Sequence, residues 1–257
     1  MVWCLVGLAG CQCRRSFEPP ADSVLLPIAD RQWDEGAPEE GWCGETSIQM
    51  VALHYGAWVP QPMINALGKP AHVDLWEEDI PTALSALGLE SERAQSPTRE
   101  AFLSWIVAEV RRGRPVIVGA KVFPTPHPEW DVDHLMPVVG FSPRGLVFNT
   151  NEELGQLEVS WAALGGNDGI SFVSPTGKFY GYSVRGFRDP GVRVSLQVVE
   201  ESSESVELGV TPAEAGSYSL VRDSFDGGTS TEAFTPGMHV RLGRAEAARF
   251  RLVSKTQ

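Results

Sequence analysis

The hydrophobic period of this chain changes once, near Arg114, and that change restricts the folds open to it. Before it, apolar residues recur at helical spacing. Ile48, Val51, Ala52 and Tyr55 share one face, with Gly56 placed to end the helix. Pro60 to Leu67 suits a short helix stopped by Gly68. Trp76 to Leu87 suits another, with Ile80, Leu84 and Leu87 on one side and Gly88 beyond. Thr98 is placed to cap a helix striped by Phe102, Trp105, Ile106 and Val110 and closed by Gly113. After Arg114 the runs are β-branched: 115–120, 135–141, 146–148, 157–161 and 179–184 read as strands. Pro137 argues for an edge or a bulge in its strand. Val24 to Ile28 is a further candidate edge strand. Helices first and antiparallel strands after predict an α+β domain that ends near Asp189-Pro190.

From Val192 the pattern shortens again, to alternating stretches such as Val206-Leu208-Val210 and Phe250-Leu252 separated by turn residues such as Asp226-Gly227-Gly228. These predict a small all-β appendage of sandwich type. The expected organisation is therefore an N-terminal segment over 1–21, an α+β domain over 22–190 and a β-rich accessory domain over 191–257.

A hydrophobic content of 42% is ample for a folded core. The net charge of -12, with no Lys/Arg cluster, argues against nucleic acid as a partner. Of the 4 cysteines, Cys4, Cys11 and Cys13 crowd the N-terminus and Cys43 stands alone in the body. That is neither a disulfide framework nor a zinc-site spacing. Asp131, Asp133 and His134 share one loop, a combination that reads as a solvated turn in preference to a metal site.

Gly41-Trp42-Cys43-Gly44 immediately precedes the first helical stripe, so Cys43 falls at a helix N-terminus. Unpaired N–H groups and the macrodipole favour an anion there, and a thiolate is one. The competing reading is a buried cysteine packed as a small apolar residue. A nucleophilic thiol needs a base and a group to orient that base. His54 lies along the same helix and cannot reach back. His72 and His127 sit in loops, and His239 belongs to the appendage. His134 opens a strand, and the following strand ends at Asn149-Thr150-Asn151. In an antiparallel hairpin that end lies beside His134, so Asn149 or Asn151 is the candidate orienter.

Cysteine at a helix start, histidine at a strand start and asparagine at the end of the next strand resemble the arrangement of papain-like cysteine peptidases. The likeness is greatest to the bacterial branch related to double-glycine leader peptidases. It is carried by Trp42-Cys43-Gly44 with Met50 on the following helix, by Gly113-Arg114-Pro115-Val116-Ile117-Val118, and by 134–141, and it runs from about Gln32 to Val184. The resemblance implies a papain-like α+β fold and a peptide or protein substrate, with no cofactor. It implies Cys43 as nucleophile, His134 as base, and Asn149 as orienter with Asn151 as the alternative. It also implies an oxyanion site made by the Cys43 N–H and Gln32, which is the single glutamine between Cys13 and Cys43. The expected reaction is hydrolysis of a peptide or isopeptide bond through a thioester. A catalytically silent binding module and a transglutaminase-like acyltransferase are the rival readings. No GxxxxGK[ST] motif is present, so cleavage of an exported leader is not implied.

At the N-terminus, Leu8-Ala9-Gly10-Cys11 resembles the lipobox of bacterial lipoprotein signals. It implies Cys11 as a lipid attachment site and a location in the cell envelope, with the membrane a partner only through that anchor. Without it, a cytoplasmic location is the alternative.

Overall fold

The computed structural model describes residues 17–39, 41–122, 127–189 and 191–254. Cys4, Cys11 and Cys13, and with them the lipobox-like segment, lie outside the described residues.

Among the described residues four α-helices form where apolar residues recur at helical spacing: α1 (Cys43–His54), α2 (Gln61–Gly68), α3 (Ile80–Ala86) and α4 (Arg99–Arg111). Thr98 caps α4, its hydroxyl accepting from the Ala101 N–H at 3.2 Å. The third helix is shorter than its apolar stripe, because Trp76 to Asp79 form turns and Pro81 sits in its first turn. Between the helices run β1 (Val24–Leu25), β2 (Ala57–Trp58) and β3 (Leu89–Ser96). Beyond α4 come β4 (Val116–Ala120), β5 (His134–Phe141), β6 (Gly145–Asn149), β7 (Gln156–Ser160) and β8 (Phe179–Phe187).

These elements make a mixed α+β architecture. One antiparallel sheet has the order β3-β8-β4-β5-β6-β7, with β1 added against β5. Pro137 lies in an interior strand, one residue before a register irregularity between Val138 and Gly140; the bulge tolerates what an edge position would have tolerated. One core joins α4 to the sheet through Phe102, Ile106, Met136 and Phe148. A second joins α1, α2 and α3 to it through Ile48, Ile64, Leu84, Leu135 and Tyr182.

Six further strands follow: β9 (Val194–Glu201), β10 (Ser205–Pro212), β11 (Tyr218–Ser224), β12 (Thr229–Ala233), β13 (His239–Gly243) and β14 (Ala248–Ser254). They form a three-stranded sheet, β13-β10-β9, and a four-stranded one, β12-β11-β14-β2. The last strand of the second sheet belongs to the N-terminal part of the chain. Ala248 pairs with Trp58, and the Phe250 N–H donates to the Gly56 carbonyl at 2.6 Å. Gly56 permits this approach: its φ is +85°, and a Cβ there would stand 2.6 Å from the Phe250 carbonyl oxygen. Trp58 is fully buried and shares a third core with Leu53, Val194, Leu208 and Phe250.

Because Trp58 belongs to this shared core, its loss should be felt on both sides. Trp58→Ala is expected to destabilise the protein by roughly 3–5 kcal/mol. Urea unfolding followed by far-UV and near-UV circular dichroism should show one coincident transition, shifted to lower denaturant.

Candidate active site around Cys43 and His134

Cys43 is the first residue of α1 and is half-buried. No side chain caps the helix at Trp42, so the first-turn N–H groups keep their attraction for negative charge at the sulfur. His134, the first residue of β5, is only 5% exposed. The Cys43 side chain lies near enough to act on the charge of the His134 imidazole. Nε2 donates to the Thr150 carbonyl at 3.0 Å, which leaves Nδ1 as the second ring nitrogen open to a partner. The Glu152 carboxylate lies 3.8 Å from Nδ1. Burial by itself would lower the His134 pKa. The charge and hydrogen bond of Cys43, the Thr150 carbonyl and the Glu152 carboxylate outweigh it and push the value up to about 9.

Neither asparagine orients this ring. Asn149 is fully buried with its amide committed elsewhere, donating to the Ile28 carbonyl at 3.0 Å and to Met50 Sδ at 3.5 Å and accepting from Gln156 at 2.8 Å. Just beyond the end of β6, the main-chain carbonyl of Thr150 meets the imidazole instead. Asn151 has φ +50°, a conformation asparagine tolerates, and acts as a hub. Its Nδ2 lies within 3.2 Å of the Cys43 carbonyl and Ser47 Oγ and 3.0 Å from the Leu135 carbonyl. Its Oδ1 accepts from Trp33 Nε1 at 3.2 Å, and its N–H donates to Asp30 at 3.0 Å. Asn151 thus fixes the backbones on which Cys43 and His134 stand without touching the ring.

Gln32 is close by, but its amide donates to Asp30 Oδ2 at 3.1 Å and to the Glu152 carbonyl at 2.6 Å. Both amide hydrogens are thereby engaged, and of the expected oxyanion donors the Cys43 N–H remains.

Two surface features lie near the ends of the segment that carries Cys43. On one side Trp33, Pro38, Asn151, Glu152, Glu153 and Leu154 line an open pocket of about 620 Å³. The Trp33 ring lies where a Cβ on Gly41 would be, 2.3 Å from its nearest atom, so glycine at 41 lets the indole rest on the chain just ahead of Cys43. On the other side Val73 and Trp76 are exposed, with His72 stacked on Trp76 at 3.7 Å. Glu45 holds the second feature to α1. It is fully buried, accepting from Asn65 at 2.7 Å and from the Leu75 N–H at 3.0 Å; burial raises its pKa to about 7 against the pull of those bonds.

The remaining histidines stand apart from the sulfur. His54 is buried at the far end of α1, pushed down to about 4 by burial and by Arg193. His127 stacks on Trp130 at 4.0 Å, and His239 pairs with Glu207 at 2.7 Å. Asp131 staples a loop by accepting from Ser174 and Thr176. Among the described residues no group of three or more His, Cys, Asp or Glu could hold a metal ion, and no helix is long and apolar enough to cross a membrane. The Thr150 carbonyl left no mark in the sequence, since every residue carries one. Glu152 and Trp33 did leave a trace, a carboxylate and an aromatic beside residues already singled out. No family model, curated protein or solved structure matches this chain.

The Cys43–His134 pair predicts its own titration. Its folded histidine value of about 9 lies above the roughly 6.5 of an unfolded one. The pair therefore contributes stability that is complete below about pH 6.5 and is lost as pH rises through the folded value. In Cys43→Ala the His134 ring should titrate at distinctly lower pH, read from its ring-carbon NMR shifts, because burial is then less opposed.

Proposed function

We propose that this chain is a papain-like cysteine hydrolase that cleaves a peptide or isopeptide bond. The observation that carries the reading is Cys43 at an uncapped helix N-terminus beside His134, whose Nε2 is fixed on the Thr150 carbonyl and whose pKa Cys43 helps to raise. The sulfur attacks the carbonyl carbon, and the oxyanion that forms meets the Cys43 N–H. The His134 imidazolium then protonates the leaving amine as the C–N bond breaks, leaving a thioester. Water deprotonated by His134 attacks the thioester; the C–S bond breaks, the carboxylic acid departs, and the thiolate beside the His134 imidazolium is restored. The orienting group in this scheme is the Thr150 carbonyl, in the place an asparagine side chain was expected to fill. Envelope anchoring through Cys11 belongs to the same reading.

The binding-module alternative has one observation in its favour, the engagement of both Gln32 amide hydrogens by Asp30 and Glu152. Thiol chemistry separates the two. Iodoacetamide alkylation of Cys43 should stay fast well below the reference thiol pKa of about 8.5, followed by mass spectrometry of the Cys43 peptide. In His134→Ala it should slow and follow an ordinary thiol titration. An inert or ordinary Cys43 in the wild type would sink the hydrolase reading. Cell fractionation tests the anchor: Cys11→Ala should move the protein out of the membrane fraction.

A further inference from the structure

The C-terminal unit reaches the segment that carries Trp33. Arg244, in the turn after β13, donates to Asp34 Oδ1 at 2.6 Å and also pairs with Glu201 at the end of β9. Glu201 in turn receives both hydrogen bonds of Arg31 Nη2, at 2.9 and 3.1 Å. Charges alternate along the row Asp34, Arg244, Glu201 and Arg31. The four side chains are 14%, 25%, 27% and 11% exposed, so the row is shielded from the solvent that weakens surface pairs. Both guanidinium groups lie over the Trp58 ring, 5.2 Å and 5.4 Å from its centroid. From beneath, Gln49 accepts from Arg31 Nε at 2.7 Å, and Gln61 accepts from the Asp34 N–H at 2.9 Å.

The segment from Asp30 to Asp34 is therefore gripped from three directions. The site side holds it through Asn151, which receives Trp33 and donates to Asp30. Helices α1 and α2 hold it through Gln49 and Gln61. The third grip comes from outside the α+β part, through Glu201 and Arg244. From Arg244 the contacts lead to Asp34, then one residue along the chain to Trp33, then to Asn151, and from there to the Cys43 and Leu135 carbonyls.

We propose that Arg244 and Glu201 of the C-terminal unit are positioning residues of the active site: they hold the Asp30–Asp34 segment, and with it Trp33 and Asn151, against Cys43 and His134. This rests on the hydrolase reading for its consequence, though not for its geometry. A planar guanidinium that serves Asp34 and Glu201 at once has no equivalent in lysine, which carries the charge without the fork. Arg244→Ala removes the grip, Arg244→Lys keeps only its charge, and Glu201→Gln breaks the row more gently by removing one negative member.

The test uses the full chain and two readouts. Hydrogen–deuterium exchange reads the segment directly: in Arg244→Ala the amides of 31–39 should exchange faster while those of β9 to β14 stay as in the wild type. The pH profile of Cys43 alkylation reads the consequence. Its rate between pH 6 and 8 should fall, by up to ~10²-fold if the reacting groups shift by about an ångström, with Lys recovering part of it. Glu201→Gln should show the same pattern more weakly. Faster exchange throughout β9 to β14 would mean a general loosening and would overturn the proposal, as would unchanged exchange at 31–39. An ordinary thiol titration in the wild type would instead remove the hydrolase reading, while the exchange result would still decide the grip.

Discussion

The structure depends on one constraint: α1 is buried along its whole length beyond Cys43, although it carries Glu45, Thr46, Ser47, Gln49 and His54. A helix buried on all sides is normally apolar on all sides. Each polar group taken into such a place without a partner costs about 1–3 kcal/mol. Partners are brought to most of these groups, though Glu45 Oε2 and both ring nitrogens of His54 keep no side-chain hydrogen-bond partner among the described residues. Thr46 turns back to the Trp42 carbonyl, and Ser47 reaches the Leu135 carbonyl on β5. Gln49 meets Val59, Arg31 and Gln61, while Glu45 gathers Asn65 and Leu75. Satisfying the helix draws the start of β5 and the loops on either side of Cys43 into one place. The neighbourhood of the sulfur is in this sense a consequence of burying its helix.

Within that neighbourhood the groups around His134 oppose a real cost. Burial disfavours a charged imidazole, and His134 stays charged because several groups act together on it. Cys43 acts to raise its pKa, Glu152 adds a carboxylate, and Thr150 supplies a carbonyl. A main-chain carbonyl never titrates, so it holds Nε2 as a donor at every pH and leaves Nδ1 on the side of Glu152. Asn151 works at one remove, on the backbones of Cys43 and Leu135. The site thus divides its tasks: side chains carry the charge, and the backbone with its asparagine hub carries the geometry.

How much of this was legible in the sequence varies with the kind of signal. The four helices and the strands β4 to β8 announced themselves because each buries a periodic set of apolar side chains. β3 and β12 did not, for a shared reason. β3 buries only Leu89 of its eight residues, and β12 is exposed throughout, so neither carries an apolar alternation to read. Both are edge strands, held by ladder bonds to one neighbour, and such bonds leave no residue signature. The two residues of β2 were hidden differently, since their partner in β14 lies far along the chain.

The sequence by itself determined that a cysteine would start a helix, that His134 would start a strand, and that a run of strands would follow at the C-terminus. Those are local matters of period, glycine placement and β-branching. Only the tertiary structure decided which group orients His134, where the Gln32 amide goes, and that Arg244 would grip the segment beside the site. Each of these turns on which of several equivalent donors or acceptors comes within about 3 Å in the folded chain. Residue type says what a group can bond to, and the packing of distant elements selects the partner.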